Sequence, residues 1–511
     1  MPRLLGSLVL AIAAFVSIAH QPASIAAPQP RNASVYEKLA RDYQTRHTEF
    51  ANQVGLIADE LDSLDQRDAA LRLREKAAQP EERSLQVLEL PATLVPEPAA
   101  SLPPDERNRQ LRLRALESKY ADDLYRFGQR ARQNDQLSLA WRFILEAVYR
   151  NPDHDQARLV LGYVKYQSTW TTPFRKQMLE RGNVWNDQWG WVRKEDLPKY
   201  EAGQRRAPDG QWLPADRVAS MRADWSNAWE IDSEHFHIRS NHSLERAVEI
   251  SVHLERFHDY FVREFALVFM TRQQAGNLFA GGRNTVNSKR HIVHYYRTRD
   301  EFKARLVKKQ PEAAFSDGIY MPDDKIAHFF DRPGEADKVD ETMYHEVTHQ
   351  ILTESALKPI GVDNWVDGDF WLVEGLACYL ESFQPQGRGG TVGDPKHIRI
   401  QWARRFLVDD GVFVPLERFT AMTQSEFQCA DMGNGPDRVK RLQQHYAQAA
   451  GVTHFFMHFE DGRYRDALVK YLSQIYSADQ RIRLNNETLA ELTGVPFPEL
   501  DRQYQVYLRG L

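Results

Sequence analysis

The sequence predicts an α+β protein preceded by a helical N-terminal region, on three observations. From Trp229 to about Asp331 short β-prone runs alternate with helical ones. After that, nearly every stretch to Leu511 reads as helix. Before residue 167 the chain is amphipathic helix, broken by one proline-rich segment. With 511 residues, 42% apolar and 27% charged, the chain has material for roughly two to four domains and ample core. A net charge of −5, from 66 basic and 71 acidic residues, argues against a nucleic-acid-binding surface.

The N-terminus, MPRLLGSLVLAIAAFVSIAHQPASIAAPQP, has Arg3 ahead of an apolar run from Leu4 to Ala19, and Ser24-Ile25-Ala26 fits a small-x-small cleavage site. This predicts a signal peptide over 1–26. The run is shorter than the roughly 20 residues that span a bilayer, which favours cleavage over an uncleaved anchor. The mature chain is then expected in the periplasm, cell envelope or extracellular space, with no later membrane span. Export permits disulfides, but Cys378 and Cys429 are the only cysteines, so there is no disulfide framework, and the sequence does not show whether the two pair.

Residues 27–89 carry apolar side chains three and four apart with almost no Gly or Pro, which predicts a helix pair or a coiled-coil arm. Residues 90–106, LPATLVPEPAASLPPDE, read as a semi-rigid linker because their prolines bar regular structure. Residues 107–167 hold two helices, a turn, and a third helix opening at NPDHDQARLVLGY. This resembles a tetratricopeptide-type unit, and a generic helical hairpin is the alternative. One and a half repeats do not stand alone, so the segment is expected to pack on a neighbour, and the N-terminal helices are the expected place for a protein partner. Residues 168–228 are rich in Trp and form a small β connector with a turn at PDGQW; the Trp cluster reads as core, with glycan or peptide binding as the alternative.

In residues 229–511, HFHIRSN and RHIVHYYRT are strands, and Ser243 caps a helix running to about Phe265. Another helix starts near Asp300, and DGIYMPDDKIAHFFD is a hairpin around Pro322-Asp323-Asp324.

The stretch with most chemistry in it is MYHEVTHQIL, Met343 to Leu352. His345 and His349 are four apart, so a helix puts both imidazoles on one face, where they can share a metal. Glu346 stands beside them, placed to take a proton from water. Farther on, FWLVEGLACYLESF carries Glu374, far enough past His349 for a loop and a returning helix that would complete a His₂Glu site. Glu381, seven residues later, falls on the same face and could hold the other ring nitrogen of a ligand histidine. Cys378 lies one turn after Glu374 and reads as a buried structural thiol. His397, His454 and His458 lack ligand spacing to this site.

His-Glu-x-x-His followed by WLVEGLACYLE resembles the gluzincin metallopeptidases, the clan of thermolysin and aminopeptidase N; the Trp-Leu-x-Glu-Gly run is especially similar to the aminopeptidase N branch, and the whole looks most like uncharacterised secreted gluzincin-like domains of bacteria. The resemblance covers roughly Trp229 to Leu511. It implies a zincin-like catalytic domain, a small mixed-sheet lobe with a helical lobe, and one zinc ion on His345, His349 and Glu374. It further implies Glu346 as general base, Glu381 behind a ligand histidine, and a peptide or protein substrate. The segment YAQAAGVTHFFMHFEDGRYRDALVKYL resembles the part of that branch in which a Tyr steadies the oxyanion, which would be Tyr446; the adjacent His445 is the alternative. The spacing from His349 to Glu374 is longer than in that branch, implying an extra loop around KPIGVDNWVDGD near the cleft. The Gly-x-Met-Glu-Asn segment that grips a substrate amine is absent, and SDGIYMPDD stands in its place, so an endopeptidase or processing enzyme is expected rather than an aminopeptidase. The alternative is a catalytically silent zincin-fold scaffold of the cell envelope.

Overall fold

The computed structural model describes residues 31–134, 136–282, 289–358, 368–433 and 435–511. The predicted signal peptide lies outside the described residues, as does most of the loop expected around KPIGVDNWVDGD. Among the described residues, no helix is long and apolar enough to cross a membrane.

The molecule is α+β. Helices α1 (Arg31–Ser63) and α2 (Arg67–Ala77) form a hairpin, and α1 also packs on α3 (Pro104–Gln133), which pairs with α4 (Leu137–Arg150). Leu39, Val54 and Ala58 of α1 meet Leu124, Ile144 and Val148 in one apolar core, so the predicted arm is a packed part of a bundle. Inside this core Glu146 accepts hydrogen bonds from the Tyr43 hydroxyl at 2.9 Å, from Arg150 at 3.3 Å and from the Tyr120 hydroxyl at 3.4 Å. Arg150 also donates to the carbonyls of Lys76 and Ala78. The expected third helix is a short one, Asp155–Val160.

Residues 90–103 of the proline-rich segment have neither helix nor extended strand, while Pro104–Glu106, expected as linker, open α3 with Pro104 at its first position; the non-helical part does not hang free. Arg158 donates to the Pro91 carbonyl at 2.8 Å, Arg114 to the Pro96 carbonyl at 2.9 Å, and Leu94 N–H to the Ser168 carbonyl at 3.2 Å. Backbone groups that have no ladder partner here, the Pro91 and Pro96 carbonyls and the Leu94 N–H, thus find partners in these neighbours.

The Trp-rich connector is three antiparallel hairpins: Val164–Tyr166 with Thr169–Thr171, Asn183–Asn186 with Gly190–Arg193, and Gln204–Arg206 with Trp212–Pro214. Each is followed by a short helix, at Pro173–Glu180, Leu197–Glu201 and Ala215–Arg222. Trp170, Trp191 and Trp212 occupy the same place in each unit, 21 residues apart. The backbone bonds repeat too: the Gly182 carbonyl accepts from Lys194 N–H at 3.0 Å, and the Gly203 carbonyl from Ala215 N–H at 2.9 Å. The aromatic rings pack on one another, Trp185 on Trp191 and Trp189 on Tyr200 on Trp212.

The main sheet has five strands: β1 (Trp229–Asp232), β2 (Phe236–Ser240), β3 (His291–Tyr296), β4 (Gly318–Met321) and β5 (Ile326–Phe330). Their order is β4-β5-β3-β2-β1; the two edge pairings are antiparallel and the two inner ones parallel. One face, with Ile238, Val293 and Phe329, packs on α5 (Leu244–Glu264) and α6 (Ala336–Ser355). Ser243 caps α5, as its sequence predicts. The other face, with Tyr296 and Phe330, is covered by Phe302 and Leu306 of the helix Arg299–Leu306. The edge strand β4 lies along α6.

The rest is helical, as expected: α7 (Phe370–Leu380), α8 (Ile398–Val408), α9 (Pro436–His458) and α10 (Phe497–Gly510) among shorter helices. An exception is the hairpin Gln384–Gln386 with Gly389–Thr391, which leaves α7 and seats on residues 86–89. Gly387 at its turn has φ +55°, and a Cβ there would run into the Val87 carbonyl. Arg388 reaches Asp259 at 3.1 Å and the Leu161 carbonyl at 3.3 Å. The N-terminal core also takes in Ala266, Met270 and Phe279, with Trp141 packed edge-on against Phe279 at 5.4 Å. The N-terminal helices are thus seated on the sheet-bearing part.

Candidate metal centre

Helix α6 buries Met343, Tyr344, Val347 and Ile351 against the sheet, which leaves His345, Glu346 and His349 facing α7 and the edge strand. The two imidazoles lie one turn apart, Nε2 to Nε2 at 3.2 Å. Helix α7 is apolar on every side and buried along all 11 residues, and Glu374 is its single charged side chain. A carboxylate in such a helix is costly unless a cation or donors meet it. It can lie against α6 because α7 packs tightly on α9 behind it: a Cβ on Gly375 would sit 2.7 Å from the Ala449 carbonyl oxygen.

Glu374 Oε2 is 3.6 Å from His345 Nε2 and 3.7 Å from His349 Nε2. It is buried, and no hydrogen-bond donor among the described residues reaches it. A tetrahedral ion with bonds of about 2.0–2.1 Å needs its ligand atoms roughly 3.3 Å apart. Three donor atoms at 3.2–3.7 Å, one of them orphaned, fit that requirement, and the triad could hold a metal ion.

Glu381, just past the end of α7, accepts from His345 Nδ1 at 2.7 Å, which turns Nε2 toward Glu374. Arg399 grips the same carboxylate with Nε at 2.7 Å and Nη2 at 2.9 Å. Glu346 Oε2 accepts from the backbone N–H of Tyr320 on the edge strand at 2.9 Å, and the Tyr320 hydroxyl donates to Glu354 at 3.2 Å. A cleft of about 430 Å³ opens beside the triad, lined by Gly318, Thr342, Glu346, Ile398, Arg399 and Trp402 among others.

The titrating groups divide sharply. Burial pulls the His345 imidazolium down, but the neighbouring Cys378, Glu374 and Glu381 outweigh it and hold the group well above its usual value. Burial takes His349 down to about 4, with the Glu374 charge opposing it. Burial raises Glu346 to about 7, against the pull of His345 and of the Tyr320 N–H. In Glu374 burial is outweighed by His349 and His345, and the carboxyl lies below its usual range. In Glu381 burial is outweighed by His345 and Arg399, leaving it at about 2.

Tyr446 and His445, adjacent on α9, face different ways. The Tyr446 phenol is raised well above its usual value, first by burial and then by the charges of Glu374, Cys378 and Glu346, so it lies within electrostatic reach of the site. His445 turns Nδ1 to the Phe427 carbonyl at 2.8 Å, against the Phe427 ring. Cys378 and Cys429 are both buried and free. The Cys378 thiol lies 4.0 Å from His345 Nδ1, on the Glu381 side. His345, Cys378 and Glu381 could also gather round an ion, but Arg399 already holds both oxygens of Glu381. His454 and His458 bond to the Gly393 carbonyl and to Tyr379, and His397 lies 3.7 Å from Glu341. Sequence reasoning missed Arg399 and the Tyr320 amide. No spacing rule connects either to the motif, since both arrive through tertiary packing. No protein-family model and no curated protein matches this chain.

Proposed function

We propose that this protein is a zinc-dependent metallopeptidase of zincin-like fold that acts outside the cytoplasm, cutting within peptides or processing a protein rather than removing single N-terminal residues. The observation that carries the reading is the convergence of His345 Nε2, His349 Nε2 and the orphaned Glu374 Oε2, with Glu346 alongside. Two imidazoles and one carboxylate suit zinc, and three protein ligands leave a position open. Zinc held there would polarise the scissile carbonyl and acidify the attacking water.

The chain's own residues supply the rest. Glu346, half-buried at the cleft and raised to about 7, is poised to take the water's proton and pass it to the leaving amine. The Tyr320 N–H holds Oε2, leaving Oε1 for that work. Tyr446, whose phenol feels the charges of Glu374 and Glu346, donates its phenol hydrogen to the oxyanion. His445 is the weaker candidate because its Nδ1 is committed to Phe427. Glu381 and Arg399 keep His345 aimed.

The test is metal content by mass spectrometry on the purified full chain, paired with turnover of a quenched-fluorescent peptide library. About one zinc per chain is expected, lost in His345→Ala. Glu346→Gln should keep the zinc and lose about 10²–10⁴-fold in turnover. Full turnover in Glu346→Gln would refute the mechanism, and a zinc-loaded wild type that cuts nothing in the library would favour a scaffold role.

A further inference from the structure

We infer that Arg399 is a positioning residue for the metal, acting through Glu381 on His345. The inference rests on the metal reading above and extends it to a residue outside the motif. Glu381 has left the end of α7, and a carboxylate's terminal torsion is soft, so one hydrogen bond to His345 does not fix its plane. Arg399 does. Its Nε takes Oε2 at 2.7 Å and its Nη2 takes Oε1 at 2.9 Å, so two parallel bonds lock the carboxylate in the guanidinium plane. Oε1 is then held where His345 Nδ1 meets it at 2.7 Å, and the Nε2 lone pair is aimed at the triad's centre.

The placement of Arg399 is not one that helix formation favours. It lies in the first turn of α8, where the positive end of the helix dipole disfavours a cation, and that turn has no acidic residue to offset it. What answers the charge is Glu381, across from it on another element. Helix α8 is itself fixed by packing along α9, with Ile400 and Ala403 buried. A rigid path therefore runs from α8 through Arg399 and Glu381 to the imidazole. The guanidinium also forms part of the cleft wall, with the side chain 28% exposed, so its removal opens no hole in the core. Lysine cannot copy the two-bond grip, since it offers a point charge rather than a planar fork.

The experiment is a double-mutant cycle on zinc affinity. The full-length protein and its Arg399→Gln, Arg399→Lys, Glu381→Gln and Arg399→Gln/Glu381→Gln variants are titrated with zinc against a competing chelator. The thermal midpoint of each metal-free protein is recorded beside it. Arg399→Gln is expected to weaken zinc binding about 10–100-fold, the range for partners that orient ligands, with the metal-free midpoint unchanged. Arg399→Lys should recover only part of the loss. The double variant should bind no worse than Glu381→Gln alone, since Arg399 works through that carboxylate. Wild-type zinc affinity in Arg399→Gln, losses that add in the double variant, or a loss matched by a fall in the metal-free midpoint would each overturn the inference. A wild type that binds no zinc would instead overturn the metal reading beneath it.

Discussion

Glu146 in the N-terminal bundle and Glu374 on α7 are both buried helical carboxylates, 3% and 9% exposed. Around Glu146 stand donors: two tyrosine hydroxyls and a guanidinium fill both of its oxygens. Around Glu374 stand the ring nitrogens of two histidines, one of them aimed by Glu381, and Oε2 has no donor among the described residues. The first arrangement is complete as it is. The second could hold a cation at its centre. Burial of a charged group therefore does not by itself mark a functional site; the nature of the atoms that meet it does.

The largest expected effect tests the first half of that contrast. Glu146→Ala leaves Arg150 buried without its carboxylate and should cost about 3–5 kcal/mol of stability, with zinc affinity unchanged. Denaturant unfolding with and without zinc would read both. If the variant were as stable as wild type, the pair would be idle packing.

The second half is sharpened by linkage. Zinc at 100 times its dissociation constant should raise unfolding stability by about 2.7 kcal/mol in wild type and in Glu146→Ala, and by nothing in Glu374→Gln. The sign of its pH dependence follows from His345. Its pKa is held well above the usual value in the metal-free protein, so at neutral pH a proton must leave when metal arrives. Affinity should fall by about tenfold per pH unit as the pH drops, for each proton released. Calorimetry in buffers of different ionisation heat would count that proton, and a count of zero would contradict the assigned charge state.

Gly375→Ala is the smallest of the three. Its new Cβ would press on the Ala449 carbonyl, backbone that cannot swing aside, and overpacking of this kind costs about 1–3 kcal/mol. Zinc affinity should weaken as well, because the shift moves the next residue, Glu374. A stable variant with intact zinc binding would show that α7 can slide without disturbing the triad.

How legible these features were follows from their range. His345, Glu346 and His349 form a local pattern, set by the 3.6-residue period, and needed only a helix. Glu374 and Glu381 needed in addition that the chain return antiparallel, which an apolar run of α7's length makes natural. Arg399 was invisible because its partner is chosen by how α8 packs, and no local rule encodes that. The N-terminal helices showed their apolar stripes but not what the stripes face, so a helix pair and a coiled-coil arm both stayed open where a packed pair joins a bundle. The connector repeat was readable in the even spacing of Trp170, Trp191 and Trp212. It escaped notice because each unit keeps little else, such as Gly182 and Gly203.

The hairpin that leaves α7 has a consequence for the order of events as the protein forms. Val87 and Gly387, which meet there, lie 300 positions apart in the chain. Closing so long a loop costs chain entropy before any contact repays it, and contacts of that separation form late. Until residues 86–89 are in place, the hairpin that leaves α7 has no seat. A metal taken up by the donor set before that contact closes would show that the motif's part of the chain reaches its native state by itself, and uptake that waits for the contact would make the metal a clock for the whole chain.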